Sequence, residues 1–258
     1  MWPASLSSWD HEPVTPVRRT ESVTFGLWSR PVLSKYATCE VNSVEMYVEN
    51  EPQYFSLFDL RMGTCDSQYL CKTCGLGLSS CVGHFGLIRL ARPCYFWHFM
   101  PVVLKLLQSV CATCHLPLCD LKPLKGSTRF LNLPPVVRFQ RVVKLCLSKR
   151  YCGHCGAEHP KFVRDNFQMF TKTGRRKEDR AVYPIERVCQ TLEQLAPDTL
   201  RLMGFNPDYS HPINLICHNM PVAPPAIRPS MLHDASMRSE GDLTFALAEI
   251  VKANRNLK

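Results

Sequence analysis

The chain has 258 residues, 45% of them hydrophobic and 21% charged, with a net charge of +9. That is enough chain for one large domain or two small ones, each with a real core, and the balance excludes wholesale disorder. Fourteen cysteines, no signal peptide and no membrane-spanning run (the best candidate, "YFWHFMPVVLKLL", is short and cut by Pro101) predict a soluble protein of a reducing compartment. Cysteines there bind metal more readily than they pair.

Residues 1–20, rich in Pro, Ser and Thr, read as a loose tail. Residues 65–90 are Cys/Gly-rich and predict metal-stapled turns. Leu87–Ala91 alternates apolar and polar and predicts a strand. Pro101 opens a helix to about Val110, with Val102, Leu106 and Val110 on one face. Pro134–Pro135 opens another, to about Lys149. There Val136, Phe139, Val143 and Cys146 share one face, and Arg138, Arg141 and Lys144 share the opposite one. "TKTGRRKEDR" predicts an exposed loop, "IERVCQTLEQL" a helix ending before Pro197, and "DTLRLMGF" a short helical turn stopped at Gly204. "PINLICHNM" predicts a strand, followed by the extended "PVAPPAIRPS". The last segment predicts a helix capped by Asp242 or Ser239, with Leu243, Leu247, Ile250 and Val251 as its apolar stripe.

The cysteines carry the chemistry. Cys71 and Cys74, Cys81 and His84, Cys111 and Cys114, and Cys152 and Cys155 are each separated by two residues. A tight turn of that spacing aims both ligands at one ion, and zinc requires four soft or borderline ligands at tetrahedral corners. Pairs therefore combine. Cys71, Cys74, Cys81 and His84 form a compact first site, and Cys111, Cys114, Cys152 and Cys155 a second, closed across a long excursion. With four protein ligands and no open position, both are structural. "CGHC" at residues 152–155 is also the spacing of a dithiol oxidoreductase, which needs its first cysteine at a helix N-terminus. The segment before it reads as a helix rather than a strand, and a redox centre leaves Cys111 and Cys114 unmatched. The remaining cysteines (39, 65, 94, 119, 146, 189 and 217) read as small buried hydrophobes, with Cys119 near enough in sequence to substitute as a ligand. Residues 121–150 hold eight basic residues and no acid after Asp120. Such a stripe is either a solvated helix face or a surface for an anionic partner.

The run "DLRMGTCDSQYLCKTCGLGLSSCVGHFGLIRLARPCYF" resembles the zinc-bearing start of the largest subunit of multisubunit DNA-directed RNA polymerases. The matching positions are Asp59, Arg61, Met62, Gly63, Cys71, Cys74, Gly75, Cys81, Gly83, His84, Phe85, Gly86 and Pro93. "VTFGLWS", "LPLCDLK", "MPVAPPAIRPS" and "EGDLTFALAEIVKAN" agree in order, so the likeness runs over about residues 21–258. Leu60 stands where the family usually has proline.

The resemblance implies an irregular, zinc-stapled α+β fold: the polymerase clamp core and clamp head, built of short helices and small sheets. It divides the chain into a tail (1–20), a clamp-core entry with the first zinc module at 71–84 (21–110), a clamp head with the second zinc site and basic helix (111–160), and a continuation with a Pro-rich segment, lid-like loop and terminal helix (161–258). The implied cofactors are two structural Zn(2+), with Mg(2+) in the assembled enzyme only. The family's Asn-Ala-Asp-Phe-Asp-Gly-Asp run is absent, so the nucleotidyltransferase chemistry lies outside this chain, in a split or a longer subunit. The implied partners are the second-largest subunit and other polymerase subunits, the rest of the largest subunit, DNA template and RNA–DNA hybrid. The implied location is nuclear in a eukaryote, otherwise cytoplasmic or virion. Arg228 and Arg238, flanking or within the lid-like loop (Pro229 to about Asp242), are expected to face nucleic acid, as are Arg138, Arg141 and Lys144. The competing functions are a thiol–disulfide oxidoreductase centred on Cys152 and Cys155, and a free-standing zinc adaptor that binds nucleic acid.

Overall fold

The structure, a computed structural model, describes residues 20–23, 25–172, 179–234 and 237–258. The middle of the charged loop expected at residues 171–180 lies outside them, at 173–178, as do residues 1–19, while Thr171, Lys172 and Arg180 at its ends belong to strands. Helix α1 (Arg30–Tyr36) starts where the Ser29 hydroxyl accepts from Val32 N. Strand β1 (Cys39–Glu40) follows, then a small hairpin of β2 (Tyr47–Val48) and β3 (Glu51–Pro52). Glu49 and Asn50 turn that hairpin with φ of 51° and 68°, the left-handed geometry that a two-residue hairpin needs. A 3-10 turn at Leu60–Met62 precedes strand β4 (Gly86–Tyr95). β4 is the centre of the main sheet. β1 pairs with it in parallel, and β8 (Ile216–Val222) pairs with it antiparallel, from Gly86 opposite Val222 to Tyr95 opposite Ile216.

Everything between β4 and β8 belongs to a second body of packing. α2 (Met100–Ser109) leads to short helices α3 (Lys122–Lys125) and α4 (Thr128–Leu131), then α5 (Pro135–Leu147). A three-stranded antiparallel meander of β5 (Lys161–Asp165), β6 (Gln168–Lys172) and β7 (Arg180–Val182) comes next. α6 (Ile185–Glu193) and α7 (Pro197–Met203) close the excursion. α7 stops at Gly204, with φ of 93°, where an added Cβ would lie 2.4 Å from Pro135 O. Only glycine fits that approach. After β8, Pro225–Ile227 forms a 3-10 turn inside the segment expected to be extended. β9 (Met231–Asp234) and β10 (Met237–Ser239) form a hairpin where the lid-like loop is expected, and α8 (Asp242–Leu257) ends the chain.

Two cores result. The smaller buries Cys39, Val41, Leu57, Phe58, Met62, Ile88, Val222, Leu247 and Val251 between the main sheet, the 3-10 turn and α8. The larger buries apolar side chains of α2, α5, α6, α7 and the meander, from Met100 to Ile216. Residues 111–160 therefore share one core with α2 before them and with α6 and α7 after them, so packing does not divide the chain at 110 or 160.

Four side chains sit elsewhere than the sequence pattern predicts. α5 buries Val142, Val143 and Cys146, whereas Val136, in its first turn, is exposed. α8 buries Thr244, Leu247, Val251 and Asn254, and leaves Leu243 exposed. Its N-cap is Gly241, with no side-chain cap, so neither Asp242 nor Ser239 plays that part. Cys94 is exposed rather than buried, and Cys65 is half-buried. No described helix is long and apolar enough to cross a membrane.

Candidate metal centres and basic surfaces

The first centre rests on the 3-10 turn. Three successive carbonyls of that turn face its ligand loops: Leu60 O accepts from Lys72 N at 3.0 Å, Arg61 O from the Thr73 hydroxyl at 2.6 Å, and Met62 O from His84 N at 2.9 Å. The turn is itself held by Asp59. Its carboxylate is fully buried and accepts from Phe55 N, from Arg61 N and from the Arg61 guanidinium, whose Nη2 lies 2.6 Å from Oδ2. Burial pushes the Asp59 carboxyl upward, but these donors outweigh it and hold it below its ordinary value. Arg61 also lies over the Phe55 ring at 4.7 Å.

On this platform Cys71 and Cys74 form one knuckle. Gly75 N returns to Cys71 O, Cys71 N donates to Leu76 O, and Thr73 N points at Cys71 Sγ at 3.4 Å. Gly75, at φ of 71°, lets the chain reverse. Cys81 and His84 form the other half, with Gly83 N 3.4 Å from Cys81 Sγ. A Cβ on Gly83 would lie 2.7 Å from Pro224, so this half abuts the Pro-rich segment.

The second centre is built from two copies of the same turn. Cys111 N donates to Leu116 O and His115 N to Cys111 O. Cys152 N donates to Ala157 O and Gly156 N to Cys152 O. Thr113 N and His154 N each lie 3.4 Å from the first sulfur of their knuckle. The reversing residues are His115 (φ 57°) and Gly156 (φ 70°). Single β-bridges, Val110 with Pro117 and Tyr151 with Glu158, pinch the two turns shut. Cys152 thus opens a β-pinched knuckle rather than a helix, and α5 has already ended at Leu147. The helix N-terminus that a reactive dithiol needs is not there.

The ligand atoms of each set, Cys71–Cys74–Cys81–His84 and Cys111–Cys114–Cys152–Cys155, all lie within 4.8 Å of one another. Cys74 and Cys81 sulfurs are 3.5 Å apart, and Cys111–Cys155 and Cys114–Cys152 are both 3.6 Å apart. An ion with metal–sulfur distances of about 2.3 Å sets tetrahedral sulfurs about 3.8 Å apart, so the spacing fits. His84 Nε2 is buried with no hydrogen-bond partner among the described residues, which suits a metal bond. Without a cation the thiols divide the protons unevenly. Cys74 is drawn down to about 6, chiefly by the His84 ring beside it, whereas burial pushes Cys81 up to about 11 and Cys114 up to about 12. None of the fourteen cysteines is in a disulfide. Both sets can hold a metal ion, and neither leaves a fifth ligand: His154 is exposed at its knuckle tip.

The expected nucleic-acid residues part company. Arg141 and Lys144 are exposed on α5. Arg138 is half-buried and donates through Nη1 to Arg201 O at 3.0 Å, tying α5 to α7. Arg228 is a correction. It is 4% exposed, and its guanidinium donates to Ala223 O, to the Thr244 hydroxyl and to Leu57 O over the Phe58 ring. It cross-links the Pro-rich segment, α8 and the loop before Asp59, and cannot face a nucleic acid from there. Arg238 lies in β10 opposite Leu232.

Sequence pattern alone misses one basic surface. Arg150, Lys161, Lys172 and Arg187 line a groove of about 970 Å³ between the second centre, the meander and α6, with Glu158 as its acidic member. These cations are scattered over residues 150–187 and have no common periodicity, so only the fold gathers them.

Comparison with known proteins agrees with this architecture. The family model described as RNA polymerase Rpb1, domain 1, matches residues 17–258. The DNA-directed RNA polymerase II subunit RPB1 of Euplotoides octocarinatus is 28% identical over 266 residues, which cover 96% of this chain and 55% of that protein. The chain thus spans about half the length of the curated relative it matches. This chain belongs to the RNA polymerase Rpb1, domain 1 family, and is similar to the N-terminal region of the largest RNA polymerase subunit.

Proposed function

We propose that the chain is the clamp segment of a DNA-directed RNA polymerase, holding DNA and the RNA–DNA hybrid in the cleft while the nucleotidyltransferase centre, with its Mg(2+), lies on other parts of the assembly. The observation that carries this is the conjunction of two closed four-ligand sets with family membership over residues 17–258. Structural Zn(2+) would be held by Cys71, Cys74, Cys81 and His84 in one set and by Cys111, Cys114, Cys152 and Cys155 in the other. The ions would fix knuckle loops that have little apolar core of their own.

Nucleic acid would meet this segment through phosphates, which need cations rather than base-reading groups. Arg141 and Lys144 on α5, and Lys161, Lys172, Arg187 and the Glu158-paired Arg150 in the groove, are exposed or half-exposed cations that would serve. Arg238 in the β9–β10 hairpin would act where the family has its lid. The proposed roles are residues 21–110 as clamp-core entry, 111–160 as clamp head and 161–258 as continuation, after a tail at 1–20, although α2, α6 and α7 share the core of 111–160. In a eukaryote the protein would be nuclear.

Two measurements test the proposal. Elemental analysis of the purified chain should return two zincs per polypeptide; a metal-free protein with its thiols oxidised in pairs overturns the metal half. Affinity purification from the native cell should retrieve a second large polymerase subunit; a monomeric, self-sufficient protein overturns the assembly half and leaves the free-standing zinc adaptor.

A further inference from the structure

Neither four-ligand set uses Cys119 or Cys146, yet these two thiols touch. Cys119 lies on the loop after the Cys111–Cys114 knuckle, and Cys146 on the last turn of α5. Their sulfurs are 3.2 Å apart. Both belong to the larger core, Cys146 with no exposure and Cys119 at its edge with 9%. The loop is held in position by Leu118 N donating to Ser109 O on α2.

We propose that Cys119 and Cys146 are a redox modification site, oxidised by peroxide to an intramolecular disulfide that staples the post-knuckle loop to α5 while both metal centres stay intact. The geometry requires little change: a disulfide needs its sulfurs at about 2.05 Å, a closure of about 1.2 Å between side chains that already meet. The roles follow from position. Cys119, the less buried of the two, is assigned as the thiol that meets the peroxide. Cys146, beneath it, is the resolving thiol. Hydrogen bonding from Cys146 draws Cys119 down to about 7, with the charge of Lys149 acting in the same sense, and the same pairing together with burial holds Cys146 protonated.

The chemistry balances with hydrogen peroxide as the oxidant. The Cys119 thiolate attacks one peroxide oxygen, an S–O bond forms, the O–O bond breaks, and the departing hydroxide takes the proton lost by Cys119 to leave as water. Cys146 sulfur then attacks the Cys119 sulfenic sulfur. The S–S bond forms, the S–O bond breaks, and the hydroxyl leaves as a second water with the Cys146 proton. Two thiols are oxidised by two electrons and one peroxide is reduced to two waters. A cation bound at either centre would withdraw charge from its ligand sulfurs and so slow, rather than abolish, their own reaction with peroxide. The site does not depend on the polymerase assignment, since it rests on this one thiol pair.

The test uses the full chain in its metal-loaded form, exposed to stoichiometric hydrogen peroxide, digested under non-reducing conditions and analysed by mass spectrometry. Metal content is measured in parallel. The expected result is a Cys119–Cys146 linked peptide, lighter by two hydrogen atoms than its reduced parts and reversed by dithiothreitol, with metal content unchanged. In Cys146→Ser, Cys119 should stop at the sulfenic acid and be captured by dimedone. If Cys119 and Cys146 remain unlinked while peroxide strips metal from either centre, the proposal is wrong. It is equally wrong if Cys119 passes to sulfinic acid in the wild-type chain without a link. The wild-type arm needs no substitution, so a variant that fails to fold leaves the test standing.

Discussion

Asn254 completes the main sheet from the side. Its Oδ1 accepts from Ala91 N at 2.7 Å, and its Nδ2 donates to Arg89 O at 2.8 Å. These are backbone groups of β4 at the irregularity between Arg89 and Cys94, where the ladder to β8 shifts register. One side-chain amide on α8 thus stands in for the missing strand neighbour and docks the helix on the sheet. Asn254→Ala is expected to destabilise the chain by about 2–4 kcal/mol, since two part-buried backbone groups are left without their partner. Asn254→Asp keeps the acceptor and removes the donor, so it should fall in between. Urea titration of the three proteins orders them; equal midpoints for wild type and Asn254→Ala remove the role.

The two centres should lose metal independently. Their ligand sets share no residue; Cys111, Cys114 and Cys152 pack in the larger core, whereas the first set rests on the 3-10 turn whose Met62 lies in the smaller one. Cys111→Ser is expected to lower zinc from two equivalents to one and to loosen residues 111–155, while Cys71→Ser lowers it by one and loosens 60–86. Metal analysis with hydrogen exchange reads both. Loss of both ions from either single substitution contradicts independence.

Arg228→Met should cost about 3 kcal/mol or more, because Leu57 O and Ala223 O are deprived of a buried donor and the replacement packs but cannot bond. Any loss of nucleic-acid retention should vanish once the comparison is made well below the variant's melting temperature. Retention that stays weak in a fully folded variant would return Arg228 to the binding surface.

Asp59 sets a pH dependence of definite sign. Its native value lies below its ordinary 3.8. The stabilisation is therefore complete above about pH 4 and is lost as pH falls from there through the native value. Asp59→Asn should cost about 3 kcal/mol at neutral pH, with Arg61 left beside a neutral partner. The gap between variant and wild type should narrow below pH 4. A constant gap across that range would assign the loss to packing instead.

Arg141→Glu with Lys144→Glu should weaken duplex DNA retention and reduce the slope of log affinity against log salt by about 0.9 for each phosphate no longer neutralised. Unchanged retention across salt concentrations marks α5 as a solvated face and leaves the Arg150–Lys161–Lys172–Arg187 groove as the surface to test.

The four-ligand sets were legible because ligand spacing is a local property: two residues between sulfurs and a positive-φ residue after them make a knuckle wherever it falls. A helix opened by proline, α2, and one closed by glycine, α7, were legible for the same reason. What spacing could not show is which far-off partner each face meets. Thr244 and Asn254, polar on paper, turn inward because Arg228 and the β4 irregularity wait there to bond them, and Leu243 turns outward as a result. Arg228 sits amid prolines beside an expected nucleic-acid loop, and only the three-dimensional neighbours Leu57 and Phe58 reveal it as an interior strut. Cys119 and Cys146, 27 positions apart, carry no spacing signal at all.

Tyr95 and Ile216 face each other at the last rung of the β4–β8 ladder, so the excursion carrying the second centre leaves and returns through one doorway. It hangs from a two-strand stalk. Cutting residues 96–215 and bridging the rung with a tight turn would leave the smaller core, the 3-10 turn and the first centre with all their own hydrogen bonds.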